Sequence, residues 1–178
     1  MFKSCLVFLL FTCPVWAQDQ AADALASAGC GPDKVEFVVK KDKTQHLQSQ
    51  VEPGKALVYI FADETRDSNV SYIGGPTVKL GMDGAWVGAT EYHSYFFFPV
   101  SAGGHRMCAG WQSSIAKIAN VRTAVSFNAE VGEVYYFRIV SERRRKWDPS
   151  IKIQPLDSAE GSLLVASSAL STSTMKKK

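Results

Sequence analysis

Apolar and polar residues alternate with a period of two along much of the chain, a pattern that predicts β-strands. Residues 35–40 (VEFVVK) form the first such stretch. Residues 56–62 (ALVYIFA) are apolar at every position, which indicates a central strand that is buried on both faces.

Residues 134–141 are predicted as a strand whose side chains alternate between two faces. Tyr135, Phe137 and Ile139 share one face, and Tyr136 and Arg138 share the other. We place the first set in the core, because a half-buried strand packs one face against a second layer.

Two turns predict β-hairpins. Asp83-Gly84 accepts positive φ at both positions and is the strongest short hairpin signal in the chain. Residues 101–104 (SAGG) separate strands predicted over 94–100 and 105–112, which predicts a second hairpin. The short spacing of turn signals, with no helical pattern between them, predicts a mainly β fold: an antiparallel sandwich or barrel of about eight or nine strands.

The C-terminal region departs from this strand pattern. Asp157 followed by Glu160 is typical of a helix N-cap, and residues 163–170 continue it with mostly apolar residues, so we predict a short C-terminal helix. The composition of residues 171–178 (STSTMKKK) predicts a disordered tail. The predicted β-sandwich domain therefore covers residues 35–170.

The first residues predict export. Residues 5–11 (CLVFLLF) follow a positive charge, have the length of a signal-peptide core and are too short to cross a bilayer as a helix. We expect cleavage near Ala17, which leaves a periplasmic or secreted protein. The alternative is a lipoprotein anchored at Cys13. The predicted N-terminal segments are a signal peptide (1–17) and a flexible leader that contains Cys30 (18–34).

Two cysteines remain after the signal peptide, and they predict a disulfide bond. In an oxidising compartment Cys30 and Cys108 most simply pair with each other. The loop-entropy argument gives a bridge of this span about 4 to 5 kcal/mol as an upper figure. The alternative is a reactive Cys108 beside His105, but a spacing of three on a strand places these side chains on opposite faces.

Charge is concentrated at the C-terminus. The formal net charge is +3; removal of Lys3 with the signal leaves +2, and removal of the three terminal lysines, 176–178, leaves −1. This distribution argues against a nucleic-acid-binding body, which would carry a basic face. A second basic run, residues 143–146 (RRRK), lies in a predicted loop. It is interpreted either as a solvated turn or as a contact for anionic lipids or other polyanions.

No set of residues in the sequence matches a known catalytic or metal-binding pattern. His46, His93 and His105 are scattered over predicted loops and turns, whereas a zinc or copper site needs three or four converging ligands. The acidic residues Asp63, Glu64 and Asp67 lack the spacing of a calcium loop and are interpreted as solvated. We therefore expect no cofactor, no metal and no catalytic residue.

Several segments resemble a known family. They are residues 54–61 (GKALVYIF), 82–88 (MDGAWVG), 94–96 (SYF), 104–105 (GH), 132–138 (GEVYYFR) and 156–164. Together, over about residues 30–170, they are similar to domain of unknown function 2846, a family of small exported bacterial proteins and lipoproteins. The resemblance implies an immunoglobulin-like or transthyretin-like β-sandwich in the cell envelope, and it supplies no catalytic residues.

Aromatic residues are the remaining candidates for a binding surface. The candidate residues are Trp86, Tyr92, Tyr95, Phe97 and Trp111. Their region carries more rings than one inward-facing strand surface needs, so we expect either an exposed platform or a face covered by another part of the chain. The sequence favours a non-catalytic binding or assembly module with a cell-envelope glycan or protein as partner. The alternative is a small periplasmic hydrolase or metal-dependent enzyme.

Overall fold

The computed structural model describes residues 30–32, 34–64, 77–145 and 148–177. The predicted signal peptide, the first part of the leader and most of the acidic loop after residue 64 lie outside these residues.

The described residues form two packed β-sheets, which confirms the predicted mainly β sandwich. The immunoglobulin-like or transthyretin-like topology remains a prediction. The described part contains ten strands instead of eight or nine, and two helices. The strands are β1 (Phe37–Asp42), β2 (Lys55–Glu64), β3 (Thr77–Met82), β4 (Ala85–Thr90), β5 (Ser94–Ser101), β6 (Gly103–Gln112), β7 (Arg122–Ala129), β8 (Val134–Arg145), β9 (Asp148–Leu156) and β10 (Ala169–Met175). The helices are α1 (Ala116–Ala119) and α2 (Ser158–Ser167).

Sheet 1 has six strands in the order β1-β10-β5-β2-β8-β9. Strand β2 pairs antiparallel with β5 and parallel with β8, so it lies in the interior of the sheet. Its residues 56–62 are buried on both faces, which confirms the prediction from their uninterrupted apolar run. Ala56, Val58 and Ile60 face the second sheet, and Tyr59 and Phe61 face the opposite side.

Sheet 2 has four strands in the order β4-β3-β6-β7. The predicted hairpin at Asp83-Gly84 is confirmed: it joins β3 to β4, and both residues have positive φ, 51° and 86°. The second predicted hairpin is wrong, because β5 pairs within sheet 1 and β6 within sheet 2. Gly103, at φ 125°, helps to turn the chain from one sheet to the other. A local turn signal cannot distinguish a hairpin from such a crossing, because both need the same backbone freedom.

The main core lies between the two sheets and confirms the predicted faces of β8. Phe137 and Ile139 are buried in this core and Tyr135 packs against it. On the opposite face, Tyr136 packs in a second cluster, and the Arg138 guanidinium donates to the Glu160 carboxylate at 3.1 Å.

The predicted helix N-cap is confirmed at the start of α2. The Asp157 carboxylate accepts a hydrogen bond of 2.8 Å from the Glu160 amide. Gly161 lets the helix approach sheet 1 closely, because a Cβ atom there would meet the Tyr136 ring at 2.2 Å. Helix α2 therefore covers the outer face of sheet 1, and its main chain at Gly161 packs closely against the Tyr136 ring.

The predicted disordered tail is wrong, because most of it belongs to β10. This strand pairs antiparallel with β1 along its length and parallel with the start of β5. Its small hydroxyl residues also make specific buried bonds. The Thr90 hydroxyl lies 2.9 Å from both the Ser94 and the Ser171 hydroxyl, and Ser171 donates to the Tyr95 carbonyl at 2.9 Å. The prediction of disorder was based on polar composition alone. Composition does not show that these hydroxyls have buried hydrogen-bond partners elsewhere in the chain.

We predict that Phe137→Ala lowers the free energy of unfolding by roughly 3 to 5 kcal/mol, because it leaves a cavity between the sheets. Arg138→Ala on the same strand is the matched control. Its ion pair with Glu160 is partly exposed, so its loss should cost less than about 1 kcal/mol. Urea unfolding followed by tryptophan fluorescence measures both values. Equal losses would contradict the assignment of the two faces.

Candidate functional site

The candidate aromatic residues do not form an exposed platform; of the two alternatives from the sequence, the structure has the covered one. Tyr95, Trp86 and Trp111 are 0%, 6% and 3% exposed, and Tyr92 and Phe97 are only partly exposed. Tyr95 and Phe97 lie in a cluster on the outer face of sheet 1, Trp86 lies in a cluster with Cys30 and Phe37, and Trp111 lies in the core between the sheets.

One covered set is the outer aromatic cluster on sheet 1, which packs beneath α2. Its rings are Tyr59, Phe61, Tyr95, Phe97 and Tyr136. Tyr59 lies at the centre, with its ring centroid 5.2 Å from those of Phe97 and Tyr136 and 6.0 Å from that of Tyr95. Val165 of α2 and Leu170 of β10 complete the cluster. These rings therefore form a second core.

The covering loop, residues 43–51, closes the rest of this cluster. The Tyr59 hydroxyl accepts a bond of 2.8 Å from the Ser49 amide, and the Tyr95 hydroxyl donates to the Leu47 carbonyl at 3.2 Å. The pKa of Tyr59 and that of Tyr95 are both raised, mainly because burial disfavours the charged form of each side chain. His46 Nδ1 donates to main-chain carbonyls at the end of α2 and just beyond it, at 3.2 and 3.1 Å. The two hydroxyls and His46 thus hold the loop in place.

Trp86 is covered by the first described residues of the chain. Its indole nitrogen donates to the Pro32 carbonyl at 2.7 Å, and Gly31 lies against the ring at positive φ. The Lys79 ammonium lies 4.4 Å from the centre of the indole ring and donates to the Val35 carbonyl at 3.0 Å. Residues 30–32, 34 and 35 are thereby attached to sheet 2 before β1 joins sheet 1, and we call them the N-terminal anchor.

The Cys30–Cys108 disulfide fixes the start of this anchor, which confirms the predicted pairing. The two Cα atoms are 5.0 Å apart and both residues are 0% exposed. Beneath Cys30 lies Gly81, where a Cβ atom would meet the Cys30 carbonyl oxygen at 2.3 Å. Cys108 is therefore a structural residue here and not a partner of His105.

His105 forms a charged pair at the turn between β3 and β4. Its Nδ1 lies 2.6 Å from an Asp83 carboxylate oxygen, and its Nε2 lies 2.8 Å from the Ser101 carbonyl oxygen. Both neighbours are acceptors, so the geometry favours an imidazolium that donates from both nitrogens. The Arg106 amide donates to the other Asp83 oxygen at 2.8 Å. The pair thus links the β3–β4 turn to the crossing between the sheets.

The electrostatics agree with this geometry. The hydrogen bond to the Asp83 carboxylate raises the pKa of His105 above its ordinary value of 6.5, against a smaller opposing effect of burial. Burial acts to raise the pKa of Asp83, but the hydrogen bonds from the Arg106 amide and the His105 side chain hold it below 3.8. Each group therefore stabilises the charged form of the other.

The other predicted chemical groups do not converge on a site. His93 is exposed, at φ 56°, against the Tyr92 ring. Among the residues with described side chains, no three His, Cys, Asp or Glu groups are close enough together to hold a metal ion. Residues 143–145 were predicted as part of a loop, but they belong to β8 and pair there with β9. Their side chains are not among the described ones.

A basic groove lies where the N-terminal anchor meets the end of β10, and the sequence analysis did not predict it. It has a volume of about 520 Å³ and is lined by Pro32, Lys34, Val35, Glu36, Met175, Lys176 and Lys177. Lys176 makes an ion pair of 2.7 Å with Glu36, and Met175 is 55% exposed. The terminal lysines were a visible signal, but only the β1–β10 register places them beside Lys34.

Comparison with known proteins leaves the family open. No family model matches this chain, and no curated protein matches it. The similarity to a family of exported proteins remains an expectation from the sequence. Within the described residues, no helix has the length and apolarity needed to cross a membrane.

We predict that the His105–Asp83 pair makes stability depend on pH. Because the pKa of His105 is raised, its contribution is complete below 6.5 and is lost as the pH rises through the pKa of the folded state. Because the pKa of Asp83 is lowered, its contribution is complete above 3.8 and is lost as the pH falls through its folded pKa. The pair therefore stabilises most between these two values.

NMR titration of the His105 ring should give a pKa above 6.5, and Asp83→Asn should lower it. In urea unfolding, the stability difference between wild type and His105→Gln should be larger at about pH 5.5 than at about pH 9. A difference that does not change with pH would show that the His105 pKa is the same in the folded and unfolded states, which would contradict the prediction.

Proposed function

We propose that this protein is exported to the oxidising compartment of a bacterial envelope and acts there as a non-catalytic binding or assembly module. The observation that carries the export part is the Cys30–Cys108 disulfide, whose residues are completely buried. Disulfides persist in exported proteins and are rare in the reducing cytosol. The signal-peptide pattern of residues 1–17 supports the same compartment.

The placement of the reactive side chains favours binding over catalysis. A histidine that acts as a general base needs a nitrogen directed at the substrate, whereas both nitrogens of His105 are bonded to protein acceptors. Tyr59 and Tyr95 use their hydroxyls to hold the covering loop. These groups stabilise the fold, which leaves surface recognition as the better-supported function.

Export predicts both a location and a thiol state. Cell fractionation should place the protein in the envelope or the medium, and alkylation without reduction should leave Cys30 and Cys108 unmodified. Cys108→Ser should lower the stability by up to about 4 to 5 kcal/mol, because the unfolded chain loses its cross-link. Recovery of the wild type in the cytosol with both thiols alkylated would contradict the proposal.

Binding predicts ligand-dependent stability without turnover. A peptidoglycan fragment or an envelope protein that binds only the folded state should raise the melting temperature, and above its Kd the rise should follow the logarithm of its concentration. Zinc and manganese serve as comparison ligands, together with an ester substrate for hydrolysis. Stabilisation by a metal alone, or hydrolysis that increases with protein concentration, would favour the alternative of a small periplasmic enzyme.

A further inference from the structure

We propose that the basic groove binds the anionic surface of a phospholipid membrane. Among the described residues that line it, the groove combines three lysines, residues 34, 176 and 177, with Glu36 and with apolar side chains that include Val35 and Met175. Positive side chains beside apolar ones suit a surface that presents phosphates above hydrocarbon.

The groove brings together lysines from two distant parts of the chain. The antiparallel register places Phe37 opposite Met175, so Lys34 and the lysines after Met175 lie together. The chain after Lys3 without its three terminal lysines has a formal charge of −1, since 16 basic residues oppose 17 acidic ones. The terminal lysines change the formal charge from −1 to +2, so an anionic surface attracts the end of β10, where Lys176 and Lys177 lie.

The wall of the groove is held in position before any contact. Trp86 bonds the carbonyl of Pro32, Lys79 bonds that of Val35, and the disulfide fixes Cys30 just before them. Binding there needs little ordering of the main chain, and this reduces its entropic cost. The inference rests on the proposed envelope location, where such a membrane surface is within reach.

The test is co-sedimentation of purified, disulfide-bonded protein with vesicles. Vesicles of phosphatidylcholine that also contain phosphatidylglycerol should bind the protein, and those of phosphatidylcholine alone should not. Added salt should weaken the binding, because exposed charges are screened. Lys34→Gln with Lys177→Gln should weaken it about 25-fold, since each lysine near an anionic surface strengthens partitioning about fivefold. Glu36→Gln should strengthen it by up to about fivefold, because it removes the negative charge from the groove.

The matched control is Lys40→Gln with Lys43→Gln, which changes the net charge equally at the far end of β1. Lys40 lies three positions along β1 from the Phe37–Met175 pair, about 10 Å from this edge of the groove and about one screening length at 0.1 M salt, so this variant should bind more tightly than the groove variant. Circular dichroism and the unfolding midpoint should match the wild type in every variant.

Equal losses in the groove and control variants would overturn the proposal, since they would report net charge alone. Equal binding to the two kinds of vesicle would also overturn it. If soluble polyphosphate binds as tightly as the vesicles, the groove is a general polyanion site and the membrane assignment fails. These assays use purified protein and vesicles, so their failure is distinct from a failure of export.

Discussion

Burial of both faces of sheet 1 is the constraint on which the rest of the structure depends. Strand β2 is apolar on every side chain from Ala56 to Ala62, so no single layer can cover it. Sheet 2 covers one face, and α2 with the covering loop covers the other. The parallel β2–β8 pair, the position of α2 and the addition of β10 follow from this requirement.

The N-terminal anchor ties the two sheets together on the side where β10 and β1 extend sheet 1. It is fastened to sheet 2 by Cys108, Trp86 and Lys79, and it then continues into a strand of sheet 1. Gly81 permits the approach, because a side chain there would overlap Cys30. Covalent, polar and steric features therefore depend on one another at this corner.

The same packing determines where function can lie. Most of the candidate aromatic rings pack in three hydrophobic clusters, and His105 joins a turn to a sheet crossing. The groove where the anchor meets β10 combines lysines and apolar side chains on a backbone that is already held in place. A partner of this groove would therefore be recognised by charge and by apolar contact and not by aromatic stacking.

The sequence by itself determined the strand periodicity, the Asp83-Gly84 hairpin, the N-cap of α2, the two faces of β8 and the pairing of Cys30 with Cys108. Most of these features depend on residues that are close in the chain, and the cysteine pairing was predicted on the expectation that a signal peptide removes Cys5 and Cys13. Tertiary structure alone decided that β5 and β6 enter different sheets, that residues 169–175 form a strand and that the aromatic rings are covered. The physical reason is that each of these outcomes depends on contacts between residues distant in the chain. Strand β5 pairs with β2, strand β10 pairs with β1, and the anchor and the covering loop pack over the rings. The basic groove depends on such partners too, because pairing with β1 is what brings the end of β10 beside Lys34.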